Sequence, residues 1–199
     1  MKFIDALMGR TPQAQPDLDA LFGLPSAAIT LQASADMVLG KRAAVCYKPA
    51  SGRSFADAEA EMEDTLAVDA DGVPLREESD QFGYNWVIVE NPAPEDLVTR
   101  IHMVNATLEA RGFGPQLLCS VFALCPEARC VESTVARPSA YLVYLYKRGT
   151  FYPFAPLGGQ KRDNECELRL SALLEGELAI EADLTRWFPL WGLPLGLGV

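Results

Sequence analysis

The sequence predicts an α+β fold: one domain over residues 1–199, built on a largely antiparallel or mixed sheet of about six strands with helices on one face. Two observations carry this. Pairs of strand-like stretches alternate with single helical ones, an order of strand, strand, helix that recurs three times without any repeat at the level of residues. The 199 residues are 49% hydrophobic and 22% charged with a mean hydropathy of +0.06, a composition that can bury a core. No stretch is rich enough in Gly, Ser or Pro to act as a linker.

Short helices open the chain, over about residues 2–23. Phe3, Ile4, Leu7 and Met8 share one helical face, and Leu18 to Phe22 follows Pro16 with Asp17 as its expected N-cap. Ile29 to Ala33 and Ala43 to Tyr47 are strand-like, and Gly40-Lys41 between them suggests a hairpin turn. Ser54 opens a helix to about Leu66, with Ser54 and Asp57 as an approximate capping box, and the run Asp69 to Gly72 with Pro74 ends it. A short strand near Leu75 and a stronger one from Tyr84 to Glu90 flank Gly83.

Asn91 to Pro94 is a breaker, after which Leu97, Ile101, Val104 and Leu108 recur at helical spacing until Gly112 and Gly114. The helix between Glu90 and Leu117 is also an option for a crossover joining parallel strands. Leu117 to Leu124 is a continuous apolar run, expected as a buried strand, and Cys125 to Pro138 a polar loop. Ala140 to Tyr146 is a strand that Gly149 turns towards Phe151 to Phe154. The last helix runs from about Asn164, as cap, to Leu174, with Glu167 three residues on. A helical turn near Leu184 leads into an apolar tail over about residues 187–199.

Charge and cysteine usage exclude whole classes. With 17 basic against 27 acidic residues the net charge is −10 and the pI about 4.6, which argues against binding to nucleic acid. No uncharged apolar run reaches the roughly 18–20 residues of a membrane span. Asp5 breaks the opening apolar stretch, so no signal peptide is expected and the location is cytoplasmic. Five cysteines, an odd number, fit a reducing compartment. Cys119, Cys125 and Cys130 are spaced C-x5-C-x4-C, without the C-x2-C knuckles of zinc sites, so no metal and no cofactor is assigned.

No constellation of catalytic type stands out, and no catalytic residue is assigned. His102, the single histidine, falls mid-helix and reads as structural. The seven carboxylates from Asp57 to Asp71 lack the EF-hand register and read as a solvated face, or as a docking face for a basic partner. Asp163 and Glu165 beside Arg162 are the carboxylates an enzyme would have to use. Tyr144 to Arg162 interleaves Lys147, Arg148, Lys161 and Arg162 with aromatics, and Gly158-Gly159 precede a helix start where an anion could sit. Lys147, Arg148, Phe151, Tyr152, Lys161 and Arg162, then Trp187 and Trp191, form the candidate interaction surface, because aromatics and arginine supply most interface energy. The tail from Trp187 either folds back over the sheet or docks elsewhere.

The stretches F-I-D-A-L-M-G-R, L-D-A-L-F-G-L-P-S-A-A-I-T-L-Q, G-F-G-P-Q-L-L-C, L-V-Y-L-Y-K-R-G-T-F-Y-P-F-A-P-L-G-G-Q-K-R-D-N-E and R-W-F-P-L-W-G resemble the actinobacterial PspAB family. The resemblance implies a cytoplasmic, non-enzymatic accessory of the phage-shock membrane-stress response. Its implied protein partners are a PspA-type coat protein or an HtpX-type membrane protease. A peripheral membrane sensor, contacting the inner leaflet through the two apolar ends, is the alternative, and an enzyme of unknown chemistry a lesser one. The sequence leaves homo-oligomerisation open.

Overall fold

The computed structural model describes residues 17–69, 76–91, 93–127 and 139–195. The expected first helix with Phe3 and Met8, the turn at Asp71 to Leu75, the loop with Cys130 and the last residues of the tail lie outside them.

Eight strands form among these residues: β1 (Met37–Tyr47), β2 (Arg76–Ser79), β3 (Asn85–Glu90), β4 (Leu117–Pro126), β5 (Ala140–Leu145), β6 (Thr150–Phe154), β7 (Pro156–Leu157) and β8 (Lys161–Arg162). The helices are α1 (Leu24–Ala35), α2 (Arg53–Asp69), α3 (Pro94–Ala110) and α4 (Asn164–Leu174), with a 3-10 turn at Leu18–Gly23 ahead of α1. Six strands make one sheet in the order β2-β3-β1-β4-β5-β6, every neighbouring pair antiparallel, and β7 and β8 make a separate hairpin. The α+β class and the strand number are therefore as the sequence predicts. Because β3 and β4 are both antiparallel to β1, they run parallel to each other, and α3 is the crossover that joins them.

Strand alternation gives this sheet two apolar faces. Ala43, Val45, Tyr47, Val87, Val89, Phe122, Leu142 and Tyr144 face the helices, which add Leu24, Leu31, Phe55, Met62, Leu97, Ile101, Leu108 and Leu170 to the same cluster. Ala44, Cys46, Trp86, Ile88, Val121, Tyr141, Val143 and Tyr152 face the other way. Among the described residues no helix covers them; the C-terminal segment does, through Trp187, Leu193 and Leu195, all buried. The tail thus folds back over the sheet along 187–195.

Both edges of the sheet are closed by different means. The short β2 is charged and exposed, with Arg76 paired to Glu78. On the β6 side, Phe151 donates its N–H to Ala179 O (2.8 Å) and accepts at its own carbonyl from the Glu181 N–H (2.8 Å), so the segment 179–181 lies along the strand. Pro153 is accommodated in β6 because this is the last strand of the sheet.

The first third of the chain corrects the sequence reading. Residues 29–33 are not a strand but part of α1, and Gly40-Lys41 is not a turn but the middle of β1. The first repeat is accordingly helix, strand, helix. The β-branched Ile29 and Thr30 mimic a strand, yet Leu24, Ala27 and Leu31 are the buried positions, at helical spacing, while Ile29 is 70% exposed. Asp36, at φ 52°, closes α1 and starts β1 at once.

Gly40 marks a β-bulge, since the β1–β4 register shifts between Leu39 and Ala43. A Cβ on Gly40 would lie 3.1 Å from Ala123 Cβ and 3.2 Å from Cys125 Sγ. Helix starts differ by a residue or two as well. Asp17 makes no side-chain cap; Ser54 lies inside α2, which begins at Arg53; and the cap of α4 is Asp163, whose Oδ1 accepts the Cys166 N–H at 3.0 Å.

Gly40 carries a prediction. Gly40→Val forces a branched side chain between β1 and β4 and is expected to destabilise by about 1–3 kcal/mol, the usual range for overpacking. Urea denaturation followed by tryptophan fluorescence measures it; an unchanged midpoint would show that β4 yields freely there.

Candidate functional site

The eight residues expected to form an interaction surface do not share a face. Phe151 is buried in the helix-side cluster, and Tyr152 and Trp187 in the opposite one. Trp191 is partly buried and lines a cavity described below. Lys147 and Lys161 are exposed, while Arg148 and Arg162 are only partly so, because each is held by a buried glutamate. Gly158 and Gly159 form the turn between β7 and β8 rather than an anion cradle at a helix start; the N-terminus of α4 is already capped by the Asp163 carboxylate.

Glu167 and Glu181 are the features that sequence reasoning missed. Both are only 2% exposed. Glu167, in the first turn of α4, accepts the Ala155 N–H (2.8 Å) and the Arg162 Nε–H (2.9 Å to Oε1 and 3.1 Å to Oε2). Arg162 then donates from Nη1 to the Trp187 carbonyl, and its guanidinium sits 5.3 Å from the centre of the Phe154 ring. Glu181 accepts from Arg148 Nε and Nη2, from Thr150 Oγ1 (3.0 Å) and from the Asp183 N–H (3.1 Å). Burial pushes its pKa up, but the hydrogen bonds from Arg148, Asp183 and Thr150 outweigh burial and hold the carboxyl below its ordinary value.

These two clamps pin the C-terminal segment. Trp187 donates its indole N–H to Glu181 O (2.9 Å), and Tyr152 donates its hydroxyl to Phe188 O (2.9 Å). The basic-aromatic block is therefore an internal staple: its arginines neutralise buried carboxylates, and its aromatics fill both faces of the sheet.

Between the pinned segment and the second face of the sheet lies a cavity of about 490 Å³. Its floor includes Cys46, Cys119, Trp86 and Tyr152; residues 188–193 form the roof, the β2–β3 turn from Asp80 to Tyr84 one wall, and Gln160 another border. Cys46 and Cys119 are register partners on β1 and β4, and hydrogen bonding to Cys119, then burial, pushes the Cys46 thiol far up, so it stays protonated. Asp80 lines the cavity but is fully engaged: Oδ1 accepts the N–H groups of Phe82 (2.8 Å) and Tyr84 (2.9 Å), and Oδ2 accepts the Trp86 indole N–H (3.0 Å). An apolar chamber under a run such as Trp187 to Leu193 has no signature in sequence, because it depends on where the segment lands.

The other candidate groups sit elsewhere. His102, on α3, packs at 4.9 Å against Phe22 with the rings tilted by 38°, and lies 3.8 Å from Asp19. Of the acidic stretch, Glu59 accepts from the Tyr47 hydroxyl (2.9 Å) and Glu61 pairs with Arg111, so part of it braces α2 against the rest of the protein. Among the described residues no three His, Cys, Asp or Glu side chains cluster as a metal site would require, and no helix is long and apolar enough to cross a membrane.

Two predictions follow from the clamps. Glu167→Ala leaves the Arg162 guanidinium and the Ala155 N–H without their partner, and is expected to cost about 2–4 kcal/mol, towards the low end for a broken buried pair because Arg162 keeps some contact with water. Arg162→Glu would set two carboxylates together and cost at least as much, so charge reversal there does not leave the fold intact. Chemical denaturation monitored by circular dichroism decides both, and an unchanged midpoint would refute the clamp. For Glu181 the folded pKa lies below the unfolded one, so its stabilisation is complete above the unfolded value and is lost as the pH falls through the folded value. The melting temperature should hold between about pH 7 and pH 5 and fall below about pH 4. Glu181→Gln should flatten that fall, and a variant profile parallel to the wild type would exclude Glu181 as its source.

Comparisons with known proteins bear on the whole chain rather than on this site. Neither a curated protein nor a solved structure matches it. A family model does, over residues 1–195 of the 199, under the description PspA associated protein B. The stretches that resemble the family lie within that span, and the chain belongs to the PspAB family.

Proposed function

We propose that this protein is a non-enzymatic accessory of a phage-shock-type membrane-stress response that works by binding a PspA-type coat protein in the cytoplasm. The observation that carries the proposal is the family description, association with PspA, over nearly the full chain. The structure supports a binding role in a narrower sense. Of the carboxylates beside Arg162, Asp163 is engaged as the cap of α4 and Glu167 in its ion pair, while Glu165 is exposed in the first turn of α4. The tail covers the sheet through Trp187, Leu193 and Leu195, which favours the adaptor reading over membrane contact through that end.

Of the eight candidate residues, Lys147 and Lys161 are those that offer their charge fully to solvent, in a chain whose net charge is −10. They are assigned here as the cationic contacts. Exposed charges of this kind mainly set association rate and register, and reversing them leaves the core untouched.

The test is titration of the folded chain with a purified PspA-type coat protein, with an HtpX-type membrane protease, the second partner that the resemblance implies, as the parallel arm. Lys147→Glu with Lys161→Glu is expected to weaken binding by about tenfold, or about 1.4 kcal/mol, with an unchanged circular dichroism spectrum. Absence of binding by the folded wild type to either partner would overturn the adaptor reading, and wild-type affinity in the double variant would remove these lysines from the interface.

A further inference from the structure

We propose that the chamber between the second face of the sheet and the 188–193 segment is a binding site for a neutral, apolar small molecule. Its volume of about 490 Å³ lies within the roughly 300–1,000 Å³ typical of ligand pockets. The lining also has the usual composition of such sites, apolar and aromatic surface with a few polar groups. Trp86 and Tyr152 present ring surface from the sheet, and Trp191 from the roof. At the boundary, Phe82 is 69% and Phe188 54% exposed, two large apolar side chains left in water beside the chamber. Exposed apolar surface gathered at a concavity marks a binding site more often than an isolated exposed residue does.

The charge of the ligand follows from the lining. Among the described residues no lysine or arginine lines the chamber, so a carboxylate, phosphate or sulfonate would be desolvated there without a counter-charge from them. A cation fares little better, because Asp80, the carboxylate among the described lining residues, already accepts three N–H groups. The polar handles that remain among the described lining residues are Gln81, Gln160, the Tyr84 hydroxyl, the Trp191 indole N–H and the two thiols, none of them charged, which suits a neutral molecule with a hydrogen-bonding group.

The chamber is also preformed. Its roof is anchored at one end by Trp187 and the Tyr152–Phe188 hydrogen bond, and at the other by Leu193 and Leu195. Pro189 and Gly192, the latter at φ 77°, shape the chain between these anchors. A roof held at both ends does not have to be ordered by the ligand, which removes a large entropic cost of binding. The inference is independent of the docking proposal above, since it uses neither Lys147 nor Lys161.

The native full chain tests it with two probes of one shape and different charge, neutral N-phenyl-1-naphthylamine and its anionic sulfonated relative 8-anilino-1-naphthalenesulfonate. The neutral probe is expected to bind saturably, one per chain, with energy transfer from the tryptophans, and the anionic one at least about tenfold more weakly. Occupancy should slow alkylation of Cys119 by N-ethylmaleimide, read peptide by peptide, while Cys166 on α4, outside the chamber, reacts at an unchanged rate. Leu118→Trp fills the chamber and should abolish binding; Phe188→Ser, at the exposed boundary, should weaken it in a chain that folds normally. The proposal is overturned by the absence of saturable binding, by equal or tighter binding of the anionic probe, or by protection that includes Cys166. A dimer that buries Phe82 and Phe188 and excludes the probe would overturn it in favour of a second copy as occupant.

Discussion

A sheet with two apolar faces has to be covered twice, and the rest of this structure follows from that requirement. On one side the solution is ordinary: α1, α2, α3 and α4 bury regular stripes of Leu, Ala, Val and Ile against Tyr47, Phe122 and Tyr144. On the other side the cover among the described residues is the C-terminal segment rather than a helix. A segment without regular secondary structure carries backbone donors and acceptors that cannot satisfy one another, and laying it over an apolar surface requires partners for them. Arg162 supplies one for the Trp187 carbonyl, Tyr152 one for the Phe188 carbonyl, and the Trp187 indole is received by the Glu181 carbonyl. The polar side chains at this corner serve the cover of the second face.

Burying Glu167 and Glu181 to do this is costly unless each carboxylate is fully paired, and each is. Glu181 takes hydrogen bonds from a guanidinium, a hydroxyl and a backbone N–H; Glu167 takes them from a guanidinium and a backbone N–H. The two pairs sit on different parts of the chain, Arg148–Glu181 at the start of β6 and Arg162–Glu167 beyond its end, so together they fix both ends of the strand that the C-terminal segment crosses. Tyr144 does a related service on the helix side. Its hydroxyl donates to the Asp17 carbonyl at 2.7 Å, linking β5 to the start of the described chain, and burial raises its pKa to about 12, so the donor stays protonated throughout the physiological range.

Much of the fold was legible in the sequence wherever one pattern acted alone. The spacing of Leu97, Ile101, Val104 and Leu108 could only be a helix; the runs at Tyr84 to Glu90, Leu117 to Leu124 and Ala140 to Tyr146 were strands; and a crossover was one option open to the helix between Glu90 and Leu117. Reading failed where two patterns competed. Ile29 and Thr30 carry β-propensity, but it is Leu24, Ala27 and Leu31 that meet the core, and burial overrode propensity. Gly40 has the composition of a turn, yet the close approach of Ala123 and Cys125 makes it a bulge within an unbroken strand. The candidate surface is dispersed over the fold for a different reason. Sequence shows the cations of Tyr144 to Arg162 but not their partners, and Glu181 lies far along the chain from Arg148, so a pair that neutralises charge in the folded protein looks like two unrelated residues.

The same block carries both the family resemblance and the clamps. L-V-Y-L-Y-K-R-G-T-F-Y-P-F-A-P-L-G-G-Q-K-R-D-N-E contains Tyr144, Arg148, Phe151, Tyr152, Phe154, Arg162 and the Asp163 cap, and R-W-F-P-L-W-G contains Trp187 and the chamber roof. What makes the chain recognisable is therefore largely what holds its C-terminal segment on the sheet. A string with those duties is constrained by packing and by ion pairing, and such constraint is blind to what the protein binds. The two exposed lysines within the string, Lys147 and Lys161, have no such duty in the core. That exposure is why the proposed partner contacts are drawn on them and not on the aromatics that dominate the string.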